Sequence, residues 1–387
     1  MKKVLVFYFL FLTSYFLPVR SQQCYNLNIR LQSEIPSVCS GISMTMIHDQ
    51  NDRPYLYVAN KEAGLKIYDI TDIASPKLVK TVPVSEMNNL DVMNVTQDGS
   101  YLYLALGNHF SANQYSGMSI VDISDPAKAS VTGKVKLSVK GGGGIIKVSG
   151  NYAILGAMMN GLYIFDISDK KNIKQVSVFI PDINFPDKKP DAKKINARGM
   201  AIAGDIIYLC YDAGGVRAIS ISDKAKPYEL GRYSNPVLNN KPRAYNNIVI
   251  EGSYAYITFD YCGLEVLNIS DPKNMTMVCW WNPYNCQQNP FGWFSSPGHL
   301  NEIDYNPDCK LLFISSGKSD LLVLNVSNPA KVDSCGYYGG VDNNMGTWGV
   351  STYKNRVFLS YVCAFIPFAS NWTGVKILTY DNNCKKD

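Results

Sequence analysis

The chain has 387 residues and a formal charge of only +5, from 37 Lys and Arg against 32 Asp and Glu. That balance, with one short basic cluster and no long basic block, excludes a nucleic-acid binder on charge grounds. Its ten cysteines contain no C-x-x-C pair and no neighbouring histidines. This excludes a structural zinc site and points to up to five disulfides in an oxidising compartment.

At the N-terminus, Met1-Lys2-Lys3 precedes an apolar run from Val4 to Leu17, broken only by Thr13 and Ser14, and then Pro18-Val19-Arg20-Ser21. A basic start, an apolar stretch and small residues before a break are the pattern of a secretory signal peptide, expected to be cleaved after Ser21. The run is shorter than the roughly 20 apolar residues of a membrane span, and no later segment comes closer. A secreted protein without a transmembrane segment is expected, with residues 1–21 as signal peptide and 22–387 as one domain.

From residue 64 onward one phrase returns seven times, at intervals of 44 to 57 residues. It reads GLKIYDITD from Gly64, GMSIVDISDP from Gly117, GLYIFDISD from Gly161, GVRAISISD from Gly215, GLEVLNISDP from Gly263, DLLVLNVSNP from Asp320 and GVKILTYDN from Gly374. Each is a strand running into a turn whose Asp or Asn side chain bonds the following backbone. The repeated Asp69, Asp122 and Asp166 resemble a calcium ladder, but Ser220, Asn268, Asn325 and Thr379 replace them in later repeats, so a turn-capping role is expected. Two further strand signals precede every phrase, such as MTMIHD from Met44 with YLYVAN from Tyr55, and GIIKVSG from Gly144 with YAILGA from Tyr152. A fourth follows most of them, as in KLVKTVPV from Lys77.

Four strands per repeat of about 50 residues is the arithmetic of a propeller blade, because a ring of twisted sheets covers both faces of each without long exposed edges. The fold expected is all-β, a seven-bladed β-propeller of four-stranded antiparallel blades. The last repeat lacks a fourth strand, and the segment YNLNIRLQSEIP from Tyr25 supplies it, closing the ring. That closure makes the termini neighbours. It predicts that Cys24 approaches Cys384 and that Cys39 approaches Cys363.

Four long insertions, 107–116, 181–197, 282–299 and 363–373, connect strands so that all open on one face of such a ring. Function is expected there, since loops on a rigid scaffold usually carry it. The basic cluster Lys188, Lys189, Lys193, Lys194 and Arg198 lies in or beside the second insertion and is interrupted by Asp187, Pro190 and Asp191, as a solvated loop would be. The third insertion is aromatic, with Trp280, Trp281, Tyr284, Phe291, Trp293 and Phe294 among Asn and Gln residues. Rings beside amides suit stacking on sugars or anchoring a protein partner, although large aromatics also serve as local packing. Trp281, Tyr284, Phe291, Trp293 and Phe294 are the binding candidates, joined by His299, Glu302 and Asp91, which together with Asp304 are expected near the channel mouth.

Catalytic motifs are thin: no G-x-S-x-G, H-E-x-x-H or EF-hand loop occurs, and Gly141 to Gly144 precedes a strand rather than a helix. No catalytic residue, metal or cofactor is assigned. Five N-x-S/T sequons begin at Asn94, Asn268, Asn274, Asn325 and Asn371. In a eukaryotic secretory pathway, Asn371 and Asn274 are the candidates for glycosylation.

The phrase I-V-D-I-S-D-P from Ile120 to Pro126 resembles the LVIVD repeat of exported or surface-attached propellers. The resemblance runs through essentially all of the chain after residue 21, with drift at Asn268, Asn325 and Thr379. It implies an extracellular scaffold or binding role and carries no catalytic motif. The function expected is extracellular recognition of a glycan or protein by a monomer. The alternatives are a glycan-active hydrolase or lyase at the channel mouth and a structural surface or matrix component.

Overall fold

The computed structural model describes residues 27–39, 44–111, 113–239, 241–288, 296, 298–317, 320–340, 345–363 and 372–381. The chain enters through β1 (Ile29–Pro36) and then makes blade 1 from β2 (Met46–His48), β3 (Tyr55–Ala59), β4 (Leu65–Asp69) and β5 (Lys77–Val82). Blade 2 follows as β6 (Val92–Asp98), β7 (Tyr101–Leu106), β8 (Tyr115–Asp122) and β9 (Ser130–Lys140). Blade 3 is β10 (Ile145–Ser149), β11 (Tyr152–Gly156), β12 (Leu162–Asp166) and β13 (Lys174–Phe179). Blade 4 is β14 (Gly199–Ala203), β15 (Ile206–Cys210), β16 (Val216–Ser220) and β17 (Tyr228–Tyr233). Blade 5 is β18 (Tyr245–Glu251), β19 (Tyr254–Phe259), β20 (Gly263–Asn268) and β21 (Thr276–Trp281). Blade 6 is β22 (Ile303–Asn306), β23 (Leu311–Ser315), β24 (Leu321–Asn325) and β25 (Asp333–Tyr338). The last blade has β26 (Thr347–Tyr353), β27 (Arg356–Tyr361) and β28 (Gly374–Tyr380), with β1 as its outer strand.

Every sheet is antiparallel and ordered from inner to outer strand, so the protein is a seven-bladed β-propeller. The inner strands β2, β6, β10, β14, β18, β22 and β26 each touch the next around the ring, and β26 touches β2. Closure is by β1, which pairs with β28 from Ile29 opposite Tyr380 to Pro36 opposite Gly374. Among the described residues no helix is long and apolar enough to cross a membrane.

The sequence forms this ring because its strands are apolar on both faces. Side chains alternate along a strand, and here each face meets a different neighbour. On β3, Tyr57 and Ala59 pack toward blade 2, whereas Leu56 and Val58 pack toward blade 7. On β19, Ala255, Ile257 and Phe259 pack with blade 4, whereas Tyr256 packs with blade 6. Among the described residues, most buried apolar side chains accordingly fall into seven clusters, each centred on one inter-blade interface. A one-residue slip in any strand would exchange the two partners, so the apolar pattern fixes register as well as fold.

The recurring phrase has a defined job at both ends. Its first glycine takes φ of +76° at Gly161 and +86° at Gly263, and a Cβ there would overlap the carbonyl of Phe179 or Trp281 on the outer strand. Asp320 fills this place in blade 6 at φ +55° and accepts a 2.9 Å hydrogen bond from Tyr361 Oη in blade 7. At the other end, Asp69 accepts from Thr71 N at 2.8 Å, Asp122 from Ser124 N at 2.8 Å, Asn268 from Ser270 N at 2.9 Å and Asn325 from Ser327 N at 2.8 Å. These are Asx turns, which explains why Asp and Asn interchange.

Candidate functional site

The inner strands enclose a polar channel of about 300 Å3 lined from six blades, with Lys147 of β10 on one side and Glu302 and Asp304 from blade 6 on another. On β10, Ile145 packs into the core between blades 3 and 4 and Ile146 into that between blades 2 and 3, while Lys147 lines the channel. These charged groups keep some solvent-accessible surface, yet protein surrounds them. Burial pushes the Lys147 ammonium below the ordinary lysine range, and the opposing carboxylates only partly offset it. Burial likewise pushes the Glu302 and Asp304 carboxyls up. Asp304 is well satisfied: Oδ2 accepts from Thr352 N at 2.6 Å and Thr352 Oγ1 at 2.9 Å, and Oδ1 from Tyr305 N at 2.8 Å. Glu302 Oε2 accepts from Asn247 Nδ2.

The lining reaches exposed Gln50 in the β2–β3 hairpin, where His48 lies flat on Tyr353 with ring centroids 3.5 Å apart. Burial holds the His48 imidazole below its usual pKa, favouring the neutral ring. Toward the long-connection face the channel narrows to a space of about 10 Å3 among His109, Gly144, Arg198, Asn246, Asn301, Glu302 and Trp348. That is room for roughly one water. The Arg198 guanidinium stands 5.4 Å from the Trp348 ring centre, and His109 and Phe110 pack on the same indole at 5.9 and 4.9 Å. Burial lowers the His109 pKa to about 3, so this plug contains a neutral imidazole beside a cation.

The four long connections are fastened where they leave the blades. Gln114 holds 107–116: its amide donates to Asp91 Oδ1 at 3.0 Å and its carbonyl accepts from Asn108 N at 2.9 Å. Arg217, with no exposed surface, holds 181–197 by donating to the carbonyls of Asp182 and Phe185 at 3.0 and 3.1 Å while pairing with Glu229 at 3.1 Å. Arg243 adds an ion pair to Asp187. The aromatic insertion is stapled at its start by a Cys262–Cys286 disulfide, and the entry to blade 1 is joined to the end of β27 by Cys39–Cys363.

The expected pairing of Cys39 with Cys363 is thus present, whereas Cys24 and Cys384 lie outside the described residues. Phe291, Trp293, Phe294 and Asn371 also lie outside them. Trp281 and Tyr284 are half-buried and pack against the core between blades 5 and 6, so part of the aromatic insertion serves as local packing. Of the polar candidates, only Glu302 and Asp304 line the channel. His299 is fully buried with Nδ1 2.6 Å from Asp260 Oδ1, and Asp91 is taken up by Gln114 and, at 3.8 Å, by Lys61. The structure does not bring His299 or Asp91 to the channel cavity. Among the described residues no group of three or more His, Cys, Asp or Glu is placed to hold a metal ion. Asn274 is exposed in the β20–β21 turn, while Asn94 and Asn325 are buried within strands.

Two site residues escape a reading of the sequence. Lys147 sits in a predicted inner strand, where a lysine between Ile146 and Val148 was the available signal. Arg198 belongs to the cluster read as a solvated loop; Lys188, Lys189, Lys193 and Lys194 are indeed exposed, but Arg198 turns onto Trp348.

The LVIVD repeat matches residues 54–84, 91–136, 141–177 and 242–282, which fall in blades 1, 2, 3 and 5. No curated protein matches the chain in sequence. Among solved structures, Sqt1 of Saccharomyces cerevisiae is similar over 85% of this chain and 83% of its own, at 10% identity and a TM-score of 0.55. The computationally designed Ika8 protein is similar over 90% of this chain and 99% of its own, at 9% identity and 0.54. A chain of the Mitotic Checkpoint Complex is similar over 97% of this chain and 98% of its own, at 11% identity and 0.58. Identities this low bear on fold alone. With the repeat found in four blades and seven blades in the ring, this chain is a seven-bladed β-propeller that carries LVIVD repeats.

Proposed function

We propose that this propeller is an exported, monomeric recognition scaffold that binds a glycan or an extracellular protein on the face where its long connections emerge. The observation that carries this reading is the anchoring of all four connections at their roots, by Gln114, Arg217 with Arg243, Cys262–Cys286 and Cys39–Cys363. Loops held in place before binding lose less conformational entropy when a partner docks. Export is supported by the N-terminal signal pattern and by disulfides, which persist in oxidising compartments. The hydrolase or lyase reading draws less support, because His299 has no exposed surface and is occupied by Asp260.

The test is a glycan array together with capture from extracellular protein, using the secreted chain. Trp293→Ala is expected to weaken capture at least tenfold with an unchanged melting temperature. A large stability loss with binding intact would assign the aromatic insertion to packing. Turnover on a glycan panel that is lost in Glu302→Gln would favour the enzyme, and self-assembly without ligand the matrix component.

A further inference from the structure

The channel itself holds a second, separate opportunity for binding. Lys147 Nζ makes no hydrogen bond or ion pair among the described residues, and the carboxylates of Glu302 and Asp304 act on it only from beyond the 4.0 Å reach of an ion pair. Asp304 is already satisfied by three donors. Glu302 has one oxygen bound by Asn247, no bond to the other among the described residues, and a side chain that lines both the cavity and the plug beside Arg198. Of the remaining ionisable groups in the lining, His48 is stacked on Tyr353 and Asp49 is engaged by Arg53 and Tyr57. An ammonium without an acceptor therefore shares the cavity with a carboxyl that has one oxygen left over, and the only other unmatched buried group of the lining among the described residues is the Tyr353 hydroxyl.

We propose that the channel binds a small carboxylate that carries a hydroxyl or ammonium group at its other end, with the carboxylate on Lys147 and the donor on Glu302. About 300 Å3 is many times the roughly 10–15 Å3 that one water needs, enough for one sugar acid or amino acid. An enclosed, unpaired ammonium is costly, so a ligand carboxylate gains more here than on the surface. Entry is from the hairpin face at Gln50, because Arg198 and Trp348 close the other end. The site is independent of the partner surface proposed above.

Calorimetry and thermal shift on the full secreted chain at pH 7, with D-glucuronate, D-gluconate and L-serine as probes, decide the matter. At least one probe is expected to bind at 1:1 stoichiometry, and its neutral amide at least tenfold more weakly. Lys147→Met should abolish that binding while keeping or raising the melting temperature, and Glu302→Gln should weaken it several-fold. Trp293→Ala should leave it unchanged. Failure of all three carboxylates to bind, equal binding of acid and amide, or undiminished binding by Lys147→Met would each overturn the proposal. The acid-against-amide comparison needs only the unaltered protein, so it stands even where a variant does not fold.

Discussion

Asn235 Nδ2 donates a hydrogen bond to Glu265 Oε1 at 2.5 Å, and neither residue has any solvent-exposed surface. Tyr245 Oη donates to the second oxygen at 3.1 Å, so a residue of the blade 4 to blade 5 connection and the first residue of β18 both converge on a carboxyl of β20. Burial outweighs these bonds and raises the Glu265 pKa to about 7.

A folded-state pKa above the unfolded one means that the folded chain holds a proton the unfolded chain has released. Stability should then fall as pH rises from about 4.5 to about 7 and level off above. The full effect is about 3 kcal/mol, at roughly 1.4 kcal/mol per pH unit. Glu265→Gln should flatten this slope. Urea unfolding at pH 5 and pH 7.5 checks it, and an unchanged slope in the variant would refute the assignment.

Arg217 couples the core of blade 4 to the connection that follows blade 3. Arg217→Met removes the charge partner of Glu229, which keeps Arg232 at 2.5 Å, and frees the carbonyls of Asp182 and Phe185. Breaking a buried pair of this kind costs about 3 kcal/mol. Beyond the lower melting temperature, trypsin should cut faster at exposed Lys188 and Lys193, since their loop has lost its tie.

Closure rests on β1 and on Cys39–Cys363, which are 324 residues apart in sequence. Replacing both cysteines with serine should lower stability by about 2–5 kcal/mol, because the disulfide restricts the unfolded chain. Deleting residues 22 to 40 should go further, unfolding or aggregating the protein, since it also bares the edge of β28. Full thermal stability in the deletion would show that the ring does not need its outer strand.

Glycosylation offers a check on burial. In a eukaryotic secretory host, Asn274→Gln should speed electrophoretic migration by one glycan, as the side chain is exposed and held by a single 2.7 Å bond to Asp271 among the described residues. Asn94→Gln and Asn325→Gln should leave migration unchanged, because both asparagines are buried. A shift for Asn94→Gln would contradict its place on β6.

Blade number, strand order and ring closure were legible in the chain because each is a local or periodic property. A glycine that must clear the neighbouring carbonyl, an apolar strand and an Asx turn recur within one short phrase, and seven copies demand seven blades. Even the Cys39–Cys363 pairing followed, since closing the ring sets the ends of the chain side by side. Periodicity also placed the four long connections on one face.

The charged groups of the channel were a different matter. Lys147 and Glu302 are 155 positions apart, and His299 lies only three residues from Glu302 yet pairs with Asp260 outside the cavity. Arg198 read as one cation in a solvated cluster until the ring set Trp348 beneath it. Such groupings depend on which residues of different blades meet around a closed ring, and on how much water the surrounding protein excludes. A repeat pattern states the backbone path to which each side chain is attached; the fold alone decides which charges share a cavity and which of them lack a partner.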